Sequence, residues 1–273
     1  MKTPLLYESH MHTPLCHHSV GLPAEFAEVA ARRGLGGIIV TCHVPLPDGF
    51  SAGVRMSPDE FPLYLDMVAE AAALCRGKTE VLLGIESDFY PGVEPWLESL
   101  HARAPFHYIL GSVHPQAREY RTRYFRSDAF EYQKFYFEHL ALSAETGLYD
   151  CLAHPDLVKN MDPGEWQLPR IMPHIKKALD RIAATGVAME INTSGMNKAI
   201  PEMNPGPEIL REIHARGIPM VIGADAHEPG RAGDGYLKAL KLLSKAGFEK
   251  VSWFRERKRR EVNIADALQS ISD

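Results

Sequence analysis

Cysteine is scarce in this chain, and none of it is paired in sequence. Cys16, Cys42, Cys75 and Cys151 are widely spaced and form no CxxC motif. That argues against a disulfide framework and a cysteine-type zinc knuckle, and a reducing, cytoplasmic setting is expected. No apolar run reaches the length of a bilayer span, so no membrane association is expected. Met1-Lys2-Thr3-Pro4 leads into the first expected strand with no signal-peptide pattern. Positive charge is in deficit: 30 Lys and Arg stand against 35 Asp and Glu, a net charge of -5 with histidine neutral. Such a protein is not built to hold a nucleic-acid backbone by bulk electrostatics. The basic run from Arg255 to Arg260 is broken by Glu256 and reads as a solvated face or a helix start. Low-complexity linkers and conspicuous repeats are also lacking.

What is present is an ordinary globular composition of 273 residues, 45% hydrophobic and 24% charged. That is enough for a core without staples, and a (β/α) barrel of about 250 residues fits as one unit. One domain over residues 1–273 is expected. The pattern is strand then helix, repeated. Strands are expected at Leu5 to His12, Gly37 to Cys42, Glu80 to Gly84, Tyr108 to Leu110, Asp150 to Ala153, Val187 to Ile191 and Pro219 to Gly223. Lys250 to Phe254 reads as a final edge strand. The intervening helices stop at Gly34, Gly186 and Gly217, as C-capping glycines do. The long Val44–Pro58 segment reads as a lid or a wall of a site. The aromatic stripe between Phe130 and Thr146 reads as core packing. Alternating strands and helices imply a parallel sheet with right-handed crossovers.

The chemistry sits at the strand ends. Four histidines fall within nine residues at His10, His12, His17 and His18. Strand alternation points His10 and His12 to one face, where they can grip one cation. Each later strand ends in a metal-competent residue: His43, Glu86, His114, His154, then Asp225 with His227. In a parallel barrel these ends meet on one face. His101, His139, His174 and His214 lie in expected helices and read as ordinary surface or boundary residues. Imidazole with carboxylate suits zinc, manganese or iron better than calcium. Seven histidines and two carboxylates exceed what one ion takes, so two ions are implied, and three if Glu86 bridges. Cys16 beside His17 offers a nucleophile as an alternative.

These residues resemble the polymerase-and-histidinol-phosphatase (PHP) family of metal-dependent phosphoesterases. The marks are His10-Met11-His12, His18, His43, Glu86, His114, His154 and Asp225-Ala226-His227. The histidinol-phosphatase branch looks nearest, on the His12-Thr13-x-x-Cys16-x-His18 spacing, Gly111-Ser112-Val113-His114, His154-Pro155-Asp156-Leu157 and Glu190-Ile191-Asn192-Thr193-Ser194-Gly195. The resemblance implies a distorted seven-stranded, TIM-like barrel with a trinuclear site at the C-terminal strand ends. It assigns His10, His12, Glu86 and Asp225 to one ion, Glu86, His114 and His154 to a second, and His18, His43 and His227 to a third.

The reaction so implied is hydrolysis of L-histidinol phosphate, a step of histidine biosynthesis, by a metal-bound hydroxide. Glu86 and Asp225 serve it as ligands at the reacting centre, and His17 is a candidate proton donor or phosphate contact. Arg118, Lys159 and Lys198 follow strand-end motifs and are candidate phosphate clamps. Glu190 is a candidate partner that orients a ligand, or a contact to the substrate's ammonium group. Rival readings are a relative acting on nucleotides or oligonucleotide ends, a metal-dependent amidohydrolase, and a metal-bound module without catalysis. The amidohydrolase would show a bridging lysine at a strand end, and none is found.

Overall fold

Short runs of β-branched and aliphatic residues, each bounded by glycine or a polar strand end, set the architecture. In the computed structural model, which describes residues 4–271, they form nine strands in linear order. These are β1 (Tyr7–Glu8), β2 (Gly37–Val40), β3 (Glu80–Asp88), β4 (Tyr108–Ser112), β5 (Cys151–Leu152), β6 (Ala188–Asn192), β7 (Met220–Gly223), β8 (Lys250–Arg255) and β9 (Lys258–Asn263). The first eight are parallel, and β9 returns antiparallel to β8. Helices α1 (Pro23–Arg32), α2 (Phe61–Leu74) and α3 (Glu94–His101) follow β1 to β3. Then come α4 (Arg118–Tyr124) and α5 (Ala129–Glu145) after β4, α6 (Leu168–Thr185) after β5, α7 (Pro207–Ala215) after β6, α8 (Tyr236–Ala246) after β7 and α9 (Ile264–Ser270) after β9.

The expected α/β architecture is present, and only its strand count is corrected, from seven with a final edge strand to nine in a mostly parallel sheet without a continuous closing ladder. Curling brings its two sides together at one point. Beyond β1 the chain stays extended, and Met11 bridges to Ala226 beyond β7. His12 N donates to Ala226 O at 2.9 Å, and Ala226 N donates to His10 O at 3.1 Å. Below that seam β8 pairs with β7 only at Val221↔Ser252, and its aromatics fill the base. Trp253 stacks on Tyr7 at 4.1 Å and Phe254 on Tyr108 at 5.3 Å between ring centroids.

Two apolar layers result. Ile39, Leu82, Leu110, Ala188 and Val221 pack with Phe254 inside the curled sheet. The alternate strand residues, among them Ile38, Val40, Ile109, Met189 and Ile222, join the larger core against the helices. Burial on both faces is what a parallel sheet under helices requires.

Three further expectations are corrected. The Arg255–Arg260 run is the solvated face expected but not a helix start: Arg255 ends β8, and Lys258 to Arg260 open the exposed strand β9. Two helices, α4 and α9, lack any counterpart in the sequence reading. His139 is not a surface residue: it is buried in α5, and Tyr120 of α4 donates its hydroxyl to His139 Nδ1 at 2.6 Å. The aromatic stripe does pack into the core, through Tyr132, Tyr136 and Phe137.

Burial pushes His139 from its ordinary value of 6.5 down to about 4. Its contribution to stability is therefore complete above pH 6.5 and is lost as the pH falls through 4. His139→Gln, which keeps an acceptor for Tyr120, is expected to remove about 2 kcal/mol of the acid destabilisation at pH 5. Urea midpoints of parent and variant at pH 7 and 5 measure the difference.

Candidate metal centre

Strand periodicity builds the centre. Residues two apart on a strand share a face, so each interior column runs from apolar at the base to polar at the top. The columns are Leu82, Gly84, Glu86 and Asp88; Leu110, Ser112 and His114; Ala188, Glu190 and Asn192; and Val221, Gly223 and Asp225. Strand β1 and the extended chain after it carry Glu8, His10 and His12 in the same way. The structure brings all nine expected ligand residues to this one end.

Glu86 lies at the middle, fully buried. Its Oε1 is 3.5 Å from His10 Nε2, 3.4 Å from His114 Nε2 and 3.3 Å from His154 Nε2. Its Oε2 is 3.6 Å from His12 Nε2 and 2.7 Å from His43 Nδ1. Asp225 Oδ1 is 3.7 Å from His10 Nε2 and 3.3 Å from His12 Nε2. Two donors bound tetrahedrally at about 2.0–2.1 Å from one ion are separated by roughly 3.3–3.4 Å, and six of these seven pairs lie at 3.3–3.7 Å. Donor atoms gather within 4.8 Å of one another in several sets: His10, His12 and Glu86; His43, Glu86 and His114; His12, His43 and His227. His18 groups with His227 and Cys16, so His43 stands nearer His12 than the implied third set has it.

Hydrogen bonds fix which ring nitrogen faces inward. His10 Nδ1 donates to Glu190 Oε1 at 2.7 Å, and His114 Nδ1 donates to Asp88 Oδ2 at 2.7 Å. His18 Nδ1 donates to Cys16 O at 2.6 Å, and His227 Nδ1 donates to Asp225 O at 3.1 Å. Each bond commits the proton to Nδ1 and leaves the Nε2 lone pair for a ligand role. His18 and His227 then set two such lone pairs 2.9 Å apart. That contact is repulsive unless a proton or a metal cation sits between them. Burial, with His12 adding to it, lowers His227 to about 2, so a proton on that ring is a poor answer. His10 Nε2, His12 Nε2 and Glu86 Oε2 are likewise buried without hydrogen-bond partners. These residues fit a cluster of divalent cations.

The electrostatics agree. Burial alone would raise the Glu86 carboxyl, but His43, His10 and His114 outweigh it and hold it well below the usual range. Burial lowers His43 to about 4, His12 and His114 contributing in the same direction, which keeps that ring neutral as a ligand must be. His114 is instead drawn up to about 10: burial opposes, and Asp88 and Glu86 prevail. A proton on such a ring and a bound cation answer the same surplus of buried negative charge. Strain accompanies the design. His154 (φ 29°) and Asp225 (φ 51°) have left-handed backbones, which non-glycine residues rarely adopt away from functional sites.

The other candidates divide. Glu190 is an orienting partner: besides His10 it accepts from His154 N at 2.9 Å and Asn192 Nδ2 at 3.0 Å, and burial removes it from an ammonium-binding role. Gly223 makes room for it, because a Cβ there would collide with Glu190 Oε1 and His10 Cβ. Arg118 opens α4 and lines the cleft above the centre. Lys198 is half-buried and near enough to help hold the Asp225 carboxyl low. Lys159 does not face the cleft. It is fully buried, donating to Asp156 Oδ2 at 2.8 Å and Glu202 Oε1 at 2.9 Å. His17 is exposed on a left-handed turn and joins none of the donor sets. Cys16 is buried, and its thiol is pushed up by a contact with Cys42 and by burial, so it is no activated nucleophile.

Sequence reasoning missed Asp88 and Arg55. Asp88 orients His114 and accepts from Arg55 Nη1 at 3.1 Å and Nη2 at 2.8 Å. The signal was available: Asp88 is two residues beyond Glu86 and so shares its face. Glu8 was also missed. Its carboxylate accepts from the backbone N–H of His10, Ala224 and Gly233, tying β1 to the exit of β7.

Fold and centre together define an α/β protein with a curled parallel sheet and an imidazole–carboxylate metal centre at its C-terminal strand ends. The sequence profile of the PHP domain matches residues 8–194, and the chain belongs to that family. A probable histidinol-phosphatase of Deinococcus radiodurans is 35% identical over 262 residues, covering 93% of this chain and 98% of that protein. Histidinol-phosphatase of Bacillus subtilis is 23% identical, covering 84% and 96%. The crystal structure of Lactococcus lactis histidinol phosphate phosphatase, complexed with zinc, L-histidinol and phosphate, superposes with a TM-score of 0.77. It has 21% identity and covers 93% and 98% of the two chains, which supports the fold.

Glu190→Ala is expected to weaken metal retention about 10–100-fold, the usual cost of removing a partner that orients a ligand. Glu190→Gln, which keeps an acceptor, is expected to lose less. Metal competition with a chromophoric chelator reads both. Glu86→Ala is expected to lose at least two equivalents by elemental analysis.

Proposed function

We propose that the protein is a metal-dependent phosphomonoesterase that hydrolyses L-histidinol phosphate to L-histidinol and phosphate. The observation that carries this reading is the buried Glu86 carboxylate ringed by five inward-facing imidazole nitrogens at 2.7–3.6 Å. The histidinol-phosphatases of similar sequence support the substrate. Two or three divalent ions, zinc, iron or manganese, are proposed. His10, His12, Glu86 and Asp225 would hold one, Glu86, His114 and His154 a second, and His18 and His227 with His43 a third. Ions there supply a water of lowered pKa and neutralise charge on the phosphoryl oxygens.

The chain's own groups do the rest. Glu190, Asp88 and the Cys16 and Asp225 carbonyls hold the ligand rings in the tautomers that leave their inner nitrogens free. Asn192 Nδ2 and Ser194 Oγ donate to Asp225 Oδ2 at 3.3 and 3.0 Å, which leaves Oδ1 toward His10 and His12. Arg118 and Lys198 are proposed to bind the phosphate from the rim. His17 remains a candidate proton donor only if its exposed ring turns inward. A cytoplasmic setting is proposed, consistent with four buried cysteines that are all free thiols. Among the described residues no helix is long and apolar enough to cross a membrane.

Purified protein should contain more than one equivalent of transition metal, lose phosphatase activity on chelation and regain it on metal addition. Across a panel of esters, kcat/KM for L-histidinol phosphate should exceed that for nucleoside monophosphates by at least about 10²-fold. A preference for nucleotides, or full activity in metal-free protein, would refute the reading.

A further inference from the structure

The cleft over the centre, about 550 Å³, is walled on one side by the loop of residues 49–55 and on the other by residues 116–119 entering α4. His18, His43 and His114 form its floor. Among the described residues only one carboxylate lines it, Glu119.

Its placement is rigid for a surface-facing group. Ser51 Oγ, on the opposite wall, donates to Glu119 Oε2 at 3.2 Å. The Arg123 guanidinium, one turn further along α4, stacks 5.6 Å from the Phe50 ring centroid and 5.0 Å from that of Tyr90, clamping loop to helix. Tyr120, the next residue, is anchored on buried His139. Glu119 itself keeps 29% of its side-chain surface exposed. Its other partners are its own backbone N–H and Arg118, whose side chain is 88% exposed and donates to Oε1 at 3.2 Å. An exposed pair of that kind holds weakly. Three donors thus reach a carboxylate with about four acceptor sites, and one site is left for a ligand.

The cleft is thus electrically two-ended: a floor that would hold anions through its cations, and a wall bearing one fixed negative charge. A ligand with a phosphate at one end and a nitrogen cation at the other satisfies both. An ester without the cation leaves the carboxylate facing the organic group with only the solvent-exposed Arg118 as countercharge.

We propose that Glu119 is the specificity-determining residue of this site, accepting hydrogen bonds from the substrate's ammonium group while the phosphate lies at the imidazole–carboxylate floor. The proposal rests on the phosphatase reading above. It assigns to Glu119 the cation recognition that buried Glu190 cannot provide.

The test compares L-histidinol phosphate with p-nitrophenyl phosphate, which carries no nitrogen cation, in metal-loaded parent, Glu119→Gln and Glu119→Lys. Glu119→Gln should lower kcat/KM for L-histidinol phosphate about 10–100-fold, the usual weight of a hydrogen bond to a charged group, chiefly through KM. The p-nitrophenyl ester should change less than about 2-fold, and metal content and Tm should hold. Glu119→Lys should deepen the loss and raise the rate on a carboxylate-bearing ester such as 3-phosphoglycerate. Equal losses on both esters, or none on either, would overturn the proposal. A parent that cleaves p-nitrophenyl phosphate but not L-histidinol phosphate means that the substrate reading has failed. Phosphoethanolamine then replaces L-histidinol phosphate, and a selective loss still supports Glu119 while a parallel one overturns it. For a parent that cleaves neither, calorimetric binding of L-histidinol decides: weaker in Glu119→Gln supports the proposal, unchanged overturns it.

Discussion

The Glu86 carboxylate and the five imidazoles around it impose the constraint on which the structure depends. A buried anion is costly without compensation, and the compensating imidazoles here come from four different strand ends. The sheet must therefore curl until β1 meets the chain beyond β7, because only then do His10 and His12 come alongside His154 and Asp225. The apolar base and the polar top are the same interior columns read at different heights. Their change of character, from Leu82 to Glu86 or from Ala188 to Glu190, separates the part that stabilises from the part that reacts.

Around that anion the protein spends few groups twice. Asp88, Glu190 and two backbone carbonyls each accept one imidazole proton, and Arg55 then restrains Asp88. The result is a layered arrangement in which four of the seven rings, His10, His18, His114 and His227, have their tautomer fixed. Left-handed backbones at His154 and Asp225 are maintained by the surrounding bonds, including the Tyr136 hydroxyl donating to His154 O at 2.9 Å. Ligand geometry is thus set before any ion arrives, which lowers the reorganisation that binding would otherwise require.

Most of the centre was legible because its residue types are unusual at strand ends, and because period two is enough to say which of them share a face. The alternating helices, the stops at Gly34, Gly186 and Gly217, and the long wall after His43 were legible for similarly local reasons. What was hidden depends on partners distant in sequence. Strand β9 has no apolar alternation and exists by pairing with β8. Lys159 reads as a surface cation until Asp156 and Glu202 enclose it. His139 reads as an exposed helical residue until α4, itself too short and charged to announce a buried face, supplies Tyr120.

The bridge that joins the two sides of the sheet bears on how the protein is made. Met11 and Ala226 lie more than two hundred positions apart, and the same separation divides His10 and His12 from Asp225 and His227. A ribosome releases the amino end long before its counterpart exists, so the emerging chain exposes a histidine-rich segment with neither its seam nor its acidic complement. The ions that need Asp225 or His227 must wait until synthesis has passed residue 227 and the seam has formed. The newborn amino terminus is accordingly a loose chelating tail until the last parallel strands arrive to fasten it.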